Sequence, residues 1–167
     1  MTDAIRTAIE GASAYLTQHP DEARYTDSPA TARVDDGLRV RVVGPNGETL
    51  TTDMPGAVGG GAAAPSPGWF LRAAVAACVT SLAVMRASQL GIESFTCEVE
   101  VDSESDDRGI LGLDASVPGG PLSMRIGFRM TGADSARLEE VAQWAIEHCP
   151  VSDAVRRAVP LRIEFLD

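Results

Sequence analysis

The sequence contains no lysine, and this absence excludes several kinds of enzyme. All 14 basic residues of the 167-residue chain are arginine. A chain without lysine cannot form a lysine Schiff base, and it has no P-loop lysine to bind phosphate. Histidine is nearly absent too, with only His19 and His148. A histidine-rich metal site therefore cannot be built, and a Ser-His-Asp triad would have to use one of these two residues.

Acidic residues outnumber basic ones by 24 to 14, and we expect no targeting segment at the start of the sequence. Its formal net charge is −10, so nucleic acids and anionic membranes should repel it on average. The first ten residues carry two acids and no long apolar run, unlike a secretory signal. No stretch is expected to reach the roughly 18 apolar residues of a membrane span. We therefore expect a cytoplasmic protein that binds neither nucleic acid nor membrane, without permanent disulfides.

The apolar periodicity predicts an α+β fold. Helices are predicted over residues 1–19 and 67–90 and from an N-cap at Asp134 to Cys149, with Ser152 capping a short turn to residue 157. Strands are predicted over residues 38–42, 48–52, 92–101, 122–130 and 161–165. A Gly- and Ala-rich segment at 55–64 is interpreted as a flexible loop over the core.

The helix predicted from Pro67 is the best-marked element. Ser66 is a favoured N-cap, Pro67 is favoured at the first helical position, and Gly91 supplies the residue beyond the end. The helix would span roughly 36 Å at about 1.5 Å per residue. It is apolar on most sides, with Arg72 and Arg86 on a narrow polar stripe. Such a helix belongs in the interior of a protein or in an interface.

The cysteines are the candidate chemical groups. Cys78 lies in the middle of that helix among apolar residues, where burial raises a thiol pKa unless the fold brings an Arg nearby. Cys149 ends its helix on the apolar face. Because a helix C-terminus disfavours a nearby anion, the Cys149 thiol suits a resolving role better than the role of the attacking thiolate. His148 either tunes this thiol or faces solvent. Cys97 lies on the apolar face of a predicted strand and is assigned to the core.

Pattern alone leaves the chemistry of these cysteines open. Cys78 is also well explained as a small apolar residue of a core helix. Positions 78, 97 and 149 are spaced by 19 and 52 residues, which matches no compact zinc site. The pattern cannot pair Cys78 with Cys149, and indicates only that both face the interior. We expect neither a metal nor a cofactor.

Two motifs in combination are more specific. Pro65-Ser66-Pro67 leads into LRAAVAACVTSLAVMRASQLGI, and about 70 residues later HCPVS runs from His148 to Ser152. Together they resemble the OsmC/Ohr family of osmotically inducible and organic hydroperoxide resistance proteins. The resemblance covers roughly residues 32–166. It implies an N-terminal helical extension over residues 1–31 and an OsmC-like domain over residues 32–167.

This resemblance implies a thiol peroxidase with antiparallel sheets around central helices, in an intertwined homodimer. Cys78 would attack an organic hydroperoxide, and Cys149 would resolve the resulting sulfenic acid to a disulfide. An Arg from the N-terminal hairpin would stabilise the thiolate, with Arg39 as the best positional match and Arg41 as the alternate. A small dithiol would then reduce the disulfide.

The sequence departs from the family pattern at one position. Family peroxidases usually carry Asn-Pro-Glu at the start of this helix, and the Glu orients the Arg. Here the run is Ser66-Pro67-Gly68-Trp69, with Gly68 in the place of the Glu. Two other functions therefore stay open. One is a non-peroxidatic role on the same fold, such as binding an apolar ligand or handling sulfur, and the other is a structural or partner-binding dimer.

Overall fold

A computed structural model describes residues 2–157 and 159–166. Within them the α-helices are α1 (Thr2–Gln18), α2 (Pro67–Gln89), α3 (Asp107–Ile110), α4 (Ser135–His148) and α5 (Pro150–Arg156). The β-strands are β1 (Thr31–Asp36), β2 (Arg39–Val43), β3 (Thr49–Thr52), β4 (Thr96–Glu104) and β5 (Ser123–Thr131). Short 3-10 helices span Pro20–Ala23 and Gly56–Val58. This combination of helices with antiparallel sheets is the predicted α+β class.

The described residues form two compact units. Residues 2–9, 74–157 and 159–166 form the first, and Glu10–Ala73 form the second. The sequence-based division into an extension at 1–31 and a domain at 32–167 stays a prediction.

The second unit contains an antiparallel sheet in the order β1-β2-β3. The predicted hairpin is confirmed, with Val43 opposite Thr49 and Val40 opposite Thr52. The sequence pattern does not predict β1, because all six of its residues are exposed and no apolar alternation marks them. This strand exists through its pairing with β2, in which Thr31 lies opposite Val43.

The core of the first unit is a stripe of small apolar residues where α2 packs against α4. Residues of α2 at intervals of four are almost fully buried, and residues of α4 and its end face them. The buried set is Val75, Val79, Ala83, Ala87, Ile92, Val141, Ala145 and Cys149. These buried side chains form one apolar cluster to which both helices contribute. This packing fixes the middle of α2 relative to the C-terminal end of α4.

The antiparallel pair β4 and β5 covers this core with one face, as the alternation predicts. Cys97, Val99 and Val101 are partly buried against the core. On the other face, Glu98 accepts a hydrogen bond from Arg129 at 2.8 Å across the two strands. After β4 the chain forms one turn of helix, α3, whose N-cap Asp106 accepts the N–H of Arg108.

The predicted C-terminal strand is wrong for the described residues. Residues 159–166 contain no strand, and Leu161, Ile163 and Phe165 are 91%, 87% and 99% exposed. Alternation marks a segment that could pair, but a strand needs a neighbouring strand with which to exchange hydrogen bonds. Within the described part of a single chain, this segment has no such neighbour.

α2 is more apolar than the sequence-based expectation allowed. Its most apolar 18-residue window has a mean hydropathy of 1.6, which by length and composition alone would suffice to cross a membrane. The expectation concerned a continuous run of apolar residues, and α2 contains no such run because Arg72, Thr80 and Arg86 interrupt it. Core helices of soluble proteins meet the same criterion. Four buried core residues, spaced four apart, lie on α2: Val75, Val79, Ala83 and Ala87.

Asp53 stabilises the Gly- and Ala-rich loop of the second unit through hydrogen bonds to its backbone. Its side chain is buried, and its carboxylate accepts hydrogen bonds from the backbone amides of Met54 at 2.8 Å, Gly61 at 3.3 Å and Ala63 at 3.0 Å. A Cβ atom at Gly60 would lie 1.9 Å from the Met54 carbonyl oxygen, so this turn requires glycine. The loop that the sequence marks as flexible is thus held by one carboxylate.

Stability should depend on pH through Asp53. The amide of Ala63 lowers the pKa of Asp53 below its ordinary value of 3.8, against burial, with further help from the amides of Met54 and Gly61 and the charge of Arg39. A carboxyl whose folded pKa is lowered stabilises the fold above its unfolded pKa, and this contribution is lost as pH falls through the folded pKa. We expect Asp53→Asn to lower the melting temperature at neutral pH.

Thermal unfolding across a pH series checks this expectation. The difference between wild type and Asp53→Asn should shrink as pH falls below 3.8, the ordinary Asp value. Asp36→Asn, at an exposed carboxyl at the end of β1, is the matched control and should change little. A difference that stays constant down to acid pH would contradict the role of the charge.

Candidate active site

Two of the three cysteines lie side by side in the first unit. Cys78 is in the middle of α2 and partly exposed, whereas Cys149 directly follows α4 and is 0% exposed. Cys78 packs against the core cluster that includes Cys149, and each thiol shifts the pKa of the other. Both are free thiols, as is Cys97. The packing of α2 on α4 thus forms a pair that sequence pattern could not assign.

Cys149 has a structural role that the sequence pattern did not reveal. It is the N-cap of α5 as well as the residue that ends α4, and its Sγ accepts the backbone N–H of Ser152 at 3.4 Å. The prediction that Ser152 caps a short turn is therefore wrong, since Ser152 lies within α5. Pro150 is the signal that could have found this, because proline at the first helical position marks the preceding residue as the N-cap.

Ser152 holds the end of α4 and the start of α5 together. It is buried, with 4% exposure. Its hydroxyl lies 3.1 Å from the carbonyl oxygen of Ile146 and 3.2 Å from that of Cys149. The sequence-based interpretation included Ser152 in the HCPVS motif but did not predict these contacts.

The two thiols have pKa values shifted in opposite directions. Burial raises the pKa of Cys78, and the hydrogen bond with Cys149 raises it further, against a lowering effect of the Val151 amide. Burial also acts to raise the pKa of Cys149. The side chain of Ser152, Cys78 and the amides of Ser152 and Val151 together outweigh burial, so the pKa of Cys149 is lowered. The expectation that Cys149 is a poor attacking thiolate considered α4 alone, whereas Cys149 is also the N-cap of α5.

Cys97 and His148 lie outside this pair. Cys97 packs against the core from β4, and burial raises its pKa. The ring of His148 stacks on Trp144 with 4.2 Å between centroids, and its Nδ1 lies 2.9 Å from the Trp144 carbonyl oxygen. His148 therefore contacts α4 itself. Among the described residues, no three His, Cys, Asp or Glu side chains cluster so that they could hold a metal ion.

The two candidate arginines lie in the second unit, on the same side of β2. Arg41 forms an ion pair with Asp35 at 3.1 Å. Arg39 begins β2 opposite Asp36 in the register, and its charge helps to lower the pKa of Asp53. Within the described residues, no hydrogen bond or ion pair joins Arg39 to another side chain. The charge of Arg39 is thus less compensated than that of Arg41.

Gly68 is the second residue of α2. An added Cβ would meet no atom closer than 3.9 Å, with Arg72 Nη1 and Ser66 Oγ at that distance. The helix itself begins as predicted, with the Ser66 hydroxyl accepting the Trp69 N–H at 3.3 Å. A larger residue thus fits at position 68, and glycine is not required there by packing.

The family model for OsmC-like proteins matches residues 59–164, which is more than half of the chain and includes both paired cysteines. The chain belongs to the OsmC-like family. The sequence matches no curated relative.

Solved structures of this family have the same fold. The OsmC-like protein from Mycoplasma pneumoniae aligns with a TM-score of 0.68 at 14% identity, covering 81% of this chain and 91% of that chain. The organic hydroperoxide resistance protein from Legionella pneumophila aligns with a TM-score of 0.54 at 24% identity, covering 80% and 91%. OhrB of Bacillus subtilis, another organic hydroperoxide resistance protein, aligns with a TM-score of 0.50 at 23% identity, covering 80% of this chain and 93% of that chain. At these identities the likeness establishes the fold of this OsmC-like protein.

Proposed function

We propose that this OsmC-like protein is a thiol peroxidase that reduces organic hydroperoxides in defence against oxidative stress. The observation that carries the proposal is the Cys78–Cys149 pair, in which a partly exposed thiol packs against the core cluster that contains a fully buried one. Such a pair gives an oxidant access to one sulfur and keeps the second within reach for disulfide formation. The organic hydroperoxide resistance proteins of the same fold support this choice of substrate.

The proposed reaction follows from the position of each thiol. The Cys78 sulfur attacks the terminal oxygen of the hydroperoxide, the O–O bond breaks, and the alkoxide leaves with that electron pair. Cys149 then attacks the sulfenic sulfur, forming the disulfide and releasing hydroxide. A small dithiol returns two electrons and two protons. Arg39 is the proposed cation that stabilises the Cys78 thiolate, and the apolar surroundings of Cys78 favour alkyl hydroperoxides over hydrogen peroxide.

A homodimer and a cytoplasmic location are part of the proposal. Apolar side chains that are exposed in the single chain support a dimer, among them Trp69 at 47% and Phe165 at 99%. A reducing compartment would keep the free thiols of the resting protein reduced between catalytic cycles. Size measurement by light scattering tests the dimer.

Disulfide mapping tests the peroxidase proposal directly. Reduced protein mixed with an equimolar amount of cumene hydroperoxide should form an intramolecular bond between Cys78 and Cys149, seen by peptide mass spectrometry. Cys97→Ser should form the same bond, since Cys97 lies outside the pair. Retention of all free thiols with several alkyl hydroperoxides would exclude the proposed activity.

A second candidate function is a non-peroxidatic role, such as binding an apolar ligand. Two observations favour it: Gly68 stands where the family has the Arg-orienting Glu, and the pKa of Cys78 is raised. This role predicts that Cys78 resists iodoacetamide and that an apolar ligand copurifies with the protein. Rapid modification of Cys78 at neutral pH would favour the peroxidase.

The variant Gly68→Glu should increase both stability and peroxidase activity. Replacing an exposed helical glycine removes a helix-propensity cost of about 0.5–1 kcal/mol. A carboxylate in the first turn of α2 adds about 0.3–1 kcal/mol by interaction with the helix dipole. Gly68→Ala is the matched control, because it supplies the propensity without the carboxylate. Melting temperatures should rise for both variants, and the rate of cumene hydroperoxide reduction only for Gly68→Glu; equal rates would argue against an orienting role.

A further inference from the structure

Arg39 and Asp53 are neighbours across the ends of β2 and β3. Val40 of β2 lies opposite Thr52 of β3 in the antiparallel register. Arg39 comes directly before Val40 and Asp53 directly after Thr52, so the register continued by one residue places them opposite each other. Residues opposite each other in an antiparallel pair point to the same face, with Cβ atoms about 4.5–5.5 Å apart. Two opposite charges therefore lie close together at this end of the hairpin.

The carboxylate of Asp53 is held in a fixed position. The residue is only 3% exposed. Its Oδ1 accepts the backbone N–H groups of Met54 at 2.8 Å and Gly61 at 3.3 Å, and its Oδ2 accepts that of Ala63 at 3.0 Å. A Cβ atom at Gly61 would lie 3.0 Å from Oδ2, so glycine leaves space beside this oxygen. These hydrogen bonds fix the place of the negative charge within the second unit.

The amides stabilise the negative charge of Asp53 without neutralising it. An N–H group is a dipole with no net charge, so the carboxylate that accepts it keeps its own charge. The amide of Ala63 is the largest cause that lowers the pKa of Asp53, and the carboxyl is therefore ionised at neutral pH. The charge of Arg39 contributes to the same shift, in agreement with the register. Because salt screens a buried charge much less than an exposed one, Asp53 can attract a guanidinium that lies opposite it.

The other acids beside β2 are less suited to hold Arg39. Asp35 already forms an ion pair with Arg41 at 3.1 Å. Asp36 lies opposite Arg39 in the register of β1 and β2, but it is exposed. An exposed pair of charges competes with water and ions and contributes little. The first turn of α2 contains no acid. Asp53 thus combines burial, a fixed position and a place opposite Arg39.

We propose that Asp53 is the positioning residue for Arg39 and holds its guanidinium at the start of β2 through charge attraction. Arg39 itself is exposed and, within the described residues, forms no hydrogen bond or ion pair with another side chain. A long side chain without a fixed opposite charge keeps its rotamer freedom. The inference rests on the proposed function, in which Arg39 stabilises the Cys78 thiolate. Asp53 acts only through Arg39 and takes no part in making or breaking bonds.

The carboxyl resonance of Asp53, followed by NMR across an acid pH series, tests the pair without any peroxide. In Arg39→Met the titration midpoint of Asp53 should move to higher pH, because an attractive positive charge has been removed. Arg41→Met is the matched control, since Arg41 is engaged with Asp35, and its midpoint should equal that of the wild type. Equal midpoints in the wild type and Arg39→Met would overturn the inference.

A double-mutant cycle at neutral pH measures the same coupling and does not depend on the protein staying folded in acid. The loss of melting temperature caused by Asp53→Asn should be smaller in the Arg39→Met background than in the wild type. Residues that do not interact give losses that add. The corresponding cycle of Asp36→Asn with Arg39→Met is the control and should be close to additive, since Asp36 is exposed. Additive losses for Asp53 and Arg39 would contradict the proposed contact of charges.

Kinetics separate positioning of Arg39 from support of the fold. Below the melting temperature of every variant, Asp53→Asn should lower kcat/KM for cumene hydroperoxide by at least about tenfold, since a displacement of about 1 Å can cost about a hundredfold. Activity should recover in part as pH rises, as expected for Arg39→Met. The double variant should be no slower than Arg39→Met alone, and Asp36→Asn should keep nearly the wild-type rate. A further loss in the double variant would show that Asp53 acts independently of Arg39.

The two proposals fail in different ways. A shifted Asp53 midpoint and a non-additive cycle, in a protein that consumes no alkyl hydroperoxide, would exclude the peroxidase and support the Asp53–Arg39 pair. A peroxidase in which the midpoint does not move and the losses add would keep the proposed function and exclude positioning by Asp53.

Discussion

The variant Cys78→Ser is expected to lose alkyl hydroperoxide reduction by at least about a thousandfold in kcat/KM, as loss of a nucleophile generally does. The serine hydroxyl has a far higher pKa than a thiol and cannot form a disulfide with Cys149. The substitution keeps nearly the same size and the donor beside Cys149, so the fold should persist. Consumption of a small dithiol with cumene hydroperoxide measures the loss, and thermal unfolding checks that the protein is folded.

Cys97→Ser is the matched control for this experiment. Cys97 packs against the same core from β4, but the thiol pair does not include it. Its replacement should leave the rate of hydroperoxide reduction near that of the wild type. If Cys78→Ser and the wild type consumed dithiol equally slowly, the peroxidase proposal would be wrong. Equal losses in both serine variants would indicate general damage to the core instead of loss of a nucleophile.

The variant Arg39→Met is expected to lower kcat/KM by about a hundredfold. Removal of one group that stabilises a developing charge commonly has an effect of about this size. A guanidinium near a sulfur lowers the thiol pKa, so its removal should raise the pKa that governs the reaction. Activity should therefore recover in part as pH increases. Methionine keeps most of the length and packing of the side chain while removing its charge.

Arg41→Met separates this effect from a general loss of charge. The two arginines lie two residues apart on β2, but Arg41 already forms an ion pair with Asp35. Its removal should therefore change the rate and the pH profile much less than removal of Arg39. A larger effect at Arg41 would transfer the proposed role to that residue, and no effect at either would remove the hairpin arginine from the mechanism.

Much of the secondary structure could be predicted because local signals mark it. Ser66 and Pro67 mark the start of α2, and Asp134 marks the start of α4, where its carboxylate accepts the Arg137 N–H at 3.0 Å. Alternation correctly assigned the faces of β4 and β5. β1 was beyond prediction because its six exposed residues lack a pattern and the strand depends on pairing with β2. Residues 161–165 are the reverse case, because they alternate but no strand lies beside them within the part of the chain that the structure describes.

The composition and the motifs by themselves determined which chemistry this protein could have. The lack of lysine and the scarcity of histidine left cysteine as the candidate reactive group, and the context of Cys78 with HCPVS indicated the family. Only the tertiary structure decided that Cys78 and Cys149 pack in one cluster and that their pKa values shift in opposite directions. The reason is physical: residue type and helix position are local properties, whereas a thiol pKa depends on donors that α5 and α2 bring to the sulfur through packing.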